Sequence, residues 1–160
     1  MSDVEEASDG ECSVDGECSF WEMIHESREF GHWPSEDVVA TVCKAFPDRG
    51  QRHGKRVLDI GCGSGSTSWF LAVEGFHVYA FDKSPSAVER CQKRLTWYDS
   101  DVYVHDFVNK LSSADETFYL AVDNCSLCHN SRSSLEFCIS EVYRVLKPGG
   151  IFIMRSFLPQ

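Results

Sequence analysis

No apolar run in the chain approaches the roughly 20 residues that a membrane-spanning helix requires, so none is expected to cross a bilayer. Residues 1–19 contain no Lys or Arg and hold seven acids: Asp3, Glu5, Glu6, Asp9, Glu11, Asp15 and Glu17. A secretory leader begins with a basic stretch and continues into an apolar one. "MSDVEEASDGECSVDGEC" has neither, and residues 1–18 read as an acidic, disordered tail. Basic residues are scarce overall, 15 Lys and Arg against 25 Asp and Glu, for a formal net charge of −10. A protein that grips a phosphate backbone shows the opposite balance, so nucleic acid is not an expected partner. The short basic run at 49–56 reads as a solvated loop, and no internal repeat is present.

A chain of 160 residues is long enough to bury a core as a single domain without staples. Its eight cysteines imply a disulfide framework only in a secreted setting. Cys43, Cys91 and Cys138 fall on apolar positions of predicted helices, where a free thiol behaves as a small buried hydrophobe. Reduced thiols in a cytoplasmic protein are therefore expected, with Cys12 and Cys18 exposed in the tail. Cys125-Ser-Leu-Cys-His129 matches the C-x-x-C-H spacing of c-type haem attachment. Such proteins mature outside the cytosol, and this chain shows no export signal. Zinc held by these three residues would lack a fourth ligand. No metal is expected.

Along the chain, "SFWEMIHESREFG" (19–31) has helical apolar spacing at Phe20, Trp21, Ile24 and Phe30. "WPSEDVVATVCKAF" follows with Ser35 as N-cap and an apolar face of Val38, Val39, Val42 and Phe46. From residue 56 strands alternate with helices. The predicted strands are 56–60, 76–82, 101–106, 117–123 and 151–157. Ser84-Pro85 opens one intervening helix. "SRSSLEFCISEVYRVL" (131–146) forms another, with Leu135, Cys138, Ile139, Val142, Val145 and Leu146 on one side. This alternation predicts a doubly wound α/β domain, its mostly parallel sheet of about five strands covered on both faces. Residues 19–160 form the domain, with 19–50 as leading helices and 56–157 as core. Ligands of such sheets bind at the carboxyl ends of the strands, near the topological switch point.

The densest local signal is "VLDIGCGSGST" (57–67), where Gly61, Gly63 and Gly65 allow a tight turn and close approach to a ligand. A dinucleotide fingerprint wants G-x-G-x-x-G, whereas the sixth position here is Ser66, and Asp59 lies two residues before the first glycine. Asp59-Ile-Gly-Cys-Gly-Ser-Gly65 instead resembles motif I of class I S-adenosylmethionine-dependent methyltransferases. "VYAFDKS" ends in Asp82, "VYVHDF" carries Asp106, and "LAVDNCSLCHN" is similar to the family's fourth-strand segment. "EVYRVLKPGGIFIMRSF" is similar to its helix, turn and fifth strand. The resemblance covers roughly residues 56–157.

That resemblance implies roles. Asp82 is the ribose-binding acid and Asp106 meets the adenine amino group, with Lys83 and Phe107 flanking the ring. Asp59 and Asp123 serve the cationic methionine half, beside the loop of Gly61, Cys62, Gly63 and Gly65. Trp33, Asn124 and Cys125 line an acceptor pocket, and His129 is the candidate general base. Trp21 and His32 could lid the site or simply pack. Members usually add a helix and two strands after the fifth, so the C-terminal strands of the usual seven are missing. An open sheet edge, and a homo-oligomer through it, are expected. The main expectation is methyl transfer from S-adenosylmethionine to a small-molecule O or N acceptor. A noncatalytic S-adenosylmethionine-binding module is the alternative, followed by an NAD-dependent oxidoreductase.

Overall fold

In the computed structural model, which describes residues 14–28 and 31–157, two helices precede an alternating series of strands and helices. Helix α1 spans Val14–Ser27 and α2 spans Glu36–Ala45. Helix α1 starts upstream of the Ser19 boundary expected from the sequence. Phe30, Cys12 and residues 1–13 of the expected tail lie outside the described residues, as does the side chain of Cys18.

The core comprises β1 (Arg56–Ile60), α3 (Ser66–Val73), β2 (His77–Asp82), α4 (Pro85–Arg94), β3 (Ser100–Val104), β4 (Phe118–Asn124), α5 (Arg132–Val145) and β5 (Leu146–Arg155). All strand pairings are parallel, in the order β3-β2-β1-β4-β5. The chain winds outward from β1 to β3, then returns across β1 to lay down β4. The switch point therefore lies between β1 and β4, and a crevice opens above their carboxyl ends.

Alternation along the strands divides the core between the two faces. Val57, Val78, Leu120 and Val122 pack with Val38, Val42, Phe70, Leu71 and Cys91 from α2, α3 and α4. Leu58, Ile60, Phe81 and Ala121 face the other way, against Cys138, Val142 and Val145 of α5 and the loop residues Phe107 and Leu111. Each fully buried aliphatic or aromatic side chain contributes roughly 1.5–3 kcal/mol. Val39 and Phe46 complete the expected α2 face by packing partly buried against the first cluster.

Caps explain where helices begin. Ser84 Oγ accepts from Ala87 N at 3.1 Å, and Pro85 takes the first helical position, where its missing N–H costs nothing. Ser131 Oγ accepts from Ser134 N at 3.2 Å. Ser35 stands at the α2 N-cap but makes no capping bond.

Three local expectations are corrected. Ile139 is 41% exposed and leaves the buried face of α5. Glu141 is buried in its place, bonded to Leu111 N and paired with Arg144. Strand β3 ends at Val104, so Asp106 follows in a turn. Leu146-Lys-Pro-Gly-Gly150 belongs to β5 rather than to a separate loop, because the register shifts between Phe118 and Leu120 to absorb it. Among the described residues no helix is long and apolar enough to cross a membrane.

Candidate functional site

The site grows from the end of β1. Gly61 adopts φ +63°, and a Cβ placed there would lie 2.3 Å from Ser126 Cβ. Only glycine lets the β1 loop and the β4 loop meet this closely. At Gly65, with φ +84°, an added Cβ would lie 2.7 Å from Cys91 Sγ, so this glycine admits helix α4. The loop between them turns its amides toward the neighbouring strand end. Gly63 N donates to Asp82 Oδ2 at 2.9 Å, and Ser84 N donates to Oδ1 of the same carboxylate at 2.9 Å. Asp82 is thus held by one backbone N–H on each oxygen. Each oxygen keeps further acceptor capacity.

Asp59 lies deeper, 1% exposed, with Ser68 Oγ donating to Oδ2. Burial pushes its carboxyl up to about 7; Asp123 and Asp82 add to the rise, and the Ser68 bond opposes it. A buried acid poised near neutrality ionises readily when a cation arrives beside it. Cys62 is buried against Cys91, and the hydrogen bond between them, reinforced by burial, holds its thiol well above its ordinary range. It acts as wall rather than nucleophile.

The β4 loop forms the facing side. Asp123 Oδ1 accepts from Ser126 N at 3.0 Å and Leu127 N at 2.9 Å, tying down the turn Leu127–His129. Cys125 takes φ +65°, unusual for a side-chain-bearing residue, and its N–H donates to Arg155 O at 2.9 Å. Asn124 Nδ2 lies 3.5 Å from Thr67 Oγ1, while Asn124 Oδ1 accepts from Arg155 Nη1 at 3.3 Å. His129 packs edge-on against Trp21, with ring centroids 4.9 Å apart.

Helix α1 closes over this floor. Glu22 accepts from Ser84 Oγ, Ser86 Oγ and Ser86 N at the start of α4. Burial pushes the Glu22 carboxyl up, but the Ser84 and Ser86 bonds outweigh it and hold it below its ordinary range. The latch sets His25 over the loop, its Cε1 3.5 Å from where a Gly63 Cβ would be. Burial drives the His25 imidazole down, against the pull of Asp82.

Together these surfaces enclose a cleft of about 410 Å³. Of the residues expected from the sequence, Asp59, Gly61, Cys62, Gly63, Asp82, Lys83, Phe107, Trp33, Asn124, Cys125 and His129 line it. Gly65, Asp106 and Asp123 do not. Gly65 lies behind the loop against α4, and Asp106 Oδ1 accepts from Val108 N at 3.2 Å in its own turn. Asp123 is buried beneath the Ser126–Leu127 amides. Burial also pushes its carboxyl up, with those hydrogen bonds opposing. His32 is absent from the lining, whereas Trp21 is part of it.

Sequence reasoning missed His25, Ser126, Arg155 and Phe157, which also line the cleft, and the Glu22 latch. Arg155 carried one available signal, a lone cation at the carboxyl end of the last apolar strand. Cys125 Sγ lies 3.3 Å from Arg155 Nη1, and Cys128 Sγ donates to Cys125 O at 3.4 Å. Among the described residues no His, Cys, Asp and Glu cluster is arranged to hold a metal, and the six cysteines with described side chains are free thiols.

A sequence model described as a methyltransferase domain matches residues 57–150. An uncharacterized methyltransferase of Synechocystis sp. is 35% identical over 101 residues, covering 63% of this chain and 46% of that protein. A malonyl-[acyl-carrier protein] O-methyltransferase of Erwinia billingiae is 34% identical over 102 residues, covering 62% and 38%. Other relatives are named a demethylmenaquinone methyltransferase and a tRNA N(3)-cytidine methyltransferase. The chain thus spans less than half the length of these curated relatives. Among solved structures, a SAM-dependent methyltransferase from Methanosarcina mazei superposes with a TM-score of 0.59 at 29% identity, covering 64% of this chain and 52% of that one. The nicotinamide reading is set aside by these matches, in keeping with the glycine spacing. The glycine loop, the acid ending β2 and the β4 loop meet in one cleft because this chain belongs to the methyltransferase-domain family, whose members draw on S-adenosylmethionine.

Proposed function

We propose that this chain binds S-adenosylmethionine and transfers its methyl group to an oxygen or nitrogen of a small-molecule acceptor. The observation that carries this reading is the meeting of three features in one cleft at the switch point: the glycine loop, amide-held Asp82, and the Asn124–Cys125–His129 segment. The residues fit such a cofactor. Two carboxylates, Asp59 and Asp82, stand at one end, where a cation and a diol need acceptors. A volume of about 410 Å³ falls inside the roughly 300–1,000 Å³ usual for such sites.

S-adenosylmethionine supplies an electrophilic methyl group on a sulfonium. Asp82 would accept from the ribose hydroxyls, and Phe107 with Lys83 would flank the adenine. Asp59 would balance the cationic half. Trp21 and His25 on α1 exclude water from this end. The β4 loop orients the acceptor in line with the methyl group, and His129 takes its proton where one must leave.

The six cysteines with described side chains are free thiols, in keeping with a cytoplasmic setting. The outer edge of β5 has no neighbouring strand among the described residues, which supports pairing with a second copy there. A monomer in sedimentation at high concentration would remove that part.

Calorimetry with S-adenosylmethionine, S-adenosylhomocysteine and NAD tests the core of the reading. Binding of both adenosyl compounds but not NAD is expected, and failure of folded protein to bind either overturns it. Methyl release across an acceptor panel then separates an enzyme from a noncatalytic binding module. A His129→Ala variant that methylates normally would reduce His129 to scaffold.

A further inference from the structure

The cleft has two unlike ends. Its two acids, Asp59 and Asp82, rise from β1 and β2. Arg155, the arginine in the lining, ends β5, two strands from Asp59 and on the order of 10 Å across the sheet. Within the lining, Arg155 meets Asn124, Cys125 and Phe157.

The guanidinium is loosely engaged. Nη1 lies 3.3 Å from Asn124 Oδ1 and 3.3 Å from Cys125 Sγ, both long contacts. Nε lies 3.7 Å from Asp37 Oδ2, whose side chain is 84% exposed, and a long solvated pair of this kind is weak. The other acid of that turn, Glu36, is also exposed. Among the described residues nothing accepts from Nη2. Asn124 and Arg155 are register partners, so the β4–β5 pairing fixes where the fork stands. Ser35, at the start of α2 and also in the lining, has its Oγ buried without a hydrogen-bond partner among the described residues. A partly exposed guanidinium with an uncommitted Nη2 in the cleft wall is a donor for an oxyanion.

We propose that Arg155 anchors an anionic group, carboxylate or phosphate, on the methyl acceptor. The inference rests on the methyltransferase reading and names its substrate class: a small O or N nucleophile that carries an oxyanion. The acidic end of the cleft takes the cationic methyl donor, and the basic end takes the anionic acceptor. In a chain of net charge −10, a specific cation inside the cleft offsets the general repulsion of such a substrate.

The test titrates benzoate, phenyl phosphate and neutral benzamide into the whole chain, with and without saturating S-adenosylhomocysteine, by calorimetry. Wild type is expected to bind at least one anion about tenfold tighter than benzamide. Arg155→Gln should erase that preference while keeping S-adenosylhomocysteine affinity within about twofold, which also shows that the variant folds. Arg155→Lys should retain part of it, having the charge without the planar fork. Tighter binding of phenyl phosphate assigns a phosphate, and tighter benzoate a carboxylate. Equal binding of anion and amide, no anion binding, or a preference that survives in Arg155→Gln overturns the proposal. Loss of S-adenosylhomocysteine binding by wild type counts instead against the methyltransferase reading, which the anion titration without it leaves distinguishable.

Discussion

Single residues carry different kinds of constraint in this cleft. Gly61 is constrained by space, since its φ of +63° and the 2.3 Å approach to Ser126 Cβ leave no room for a methyl group. Gly61→Ala should cost roughly 2–4 kcal/mol in a urea titration, from backbone strain plus the push against the β4 loop. Asp82 is constrained by chemistry. Asp82→Ala should weaken S-adenosylmethionine binding by about 10–100-fold in calorimetry, since hydrogen bonds to a charged group are worth roughly 1.5–3 kcal/mol. The variant should stay folded with some loss of stability, because the Gly63 amide it frees lies at the cleft while the Ser84 amide is buried and left unpaired. Unchanged affinity would show that the ribose lies elsewhere. The sequence pointed to Gly61 through its glycine loop and to Asp82 through the family resemblance, but not to the amide pair that holds Asp82, because those bonds depend on where β2 ends beside the loop.

At the scale of elements, α1 is joined to the core through a side chain rather than a strand. Glu22 supplements the Ser84 cap by accepting from Ser86 at the same helix start. Losing such a capping acceptor costs roughly 1–2 kcal/mol, and here the cost falls on α1 docking. Glu22→Ala should therefore raise amide hydrogen exchange in α1 without changing exchange in β1 or β4. Equal protection in both proteins would mean that the Arg90 bonds to Glu26 O and Arg28 O, with packing by Trp21 and His25, suffice. The helical period of 19–31 was visible in the chain, yet His25, not the expected apolar set alone, supplies a buried face. A 3.6-residue period reveals a face but not which neighbour covers it. Likewise the Ile139-for-Glu141 exchange on α5 depends on Arg144 and the Leu111 amide, partners from across a loop.

For the whole molecule, Asp59 couples stability to pH. Unfolded, it ionises near its ordinary value of 3.8; folded, it keeps its proton up to about 7. Between those limits the native state binds more protons than the unfolded chain, so this group's contribution to stability falls as pH rises, and the loss is complete above about 7. Asp59→Asn should thus gain stability relative to wild type from pH 4 to pH 8, by a few kcal/mol at most, in urea titrations at both values. A difference that does not change with pH would mean that Asp59 is ionised in the folded protein throughout. The alternation of strands with helices and the glycine loop were legible in the linear order, and Asp82 came through the family resemblance, whereas the Leu-Lys-Pro-Gly-Gly segment, expected as a turn, proved part of β5. Period, turn chemistry and fixed spacing are local, and local chemistry is written residue by residue. Only the tertiary structure decided that Arg155 stands beside Asn124 and that Glu22 latches α1 to α4. Those placements follow from strand order and register, which bring together residues 31 to 64 positions apart, and no local pattern encodes that distance.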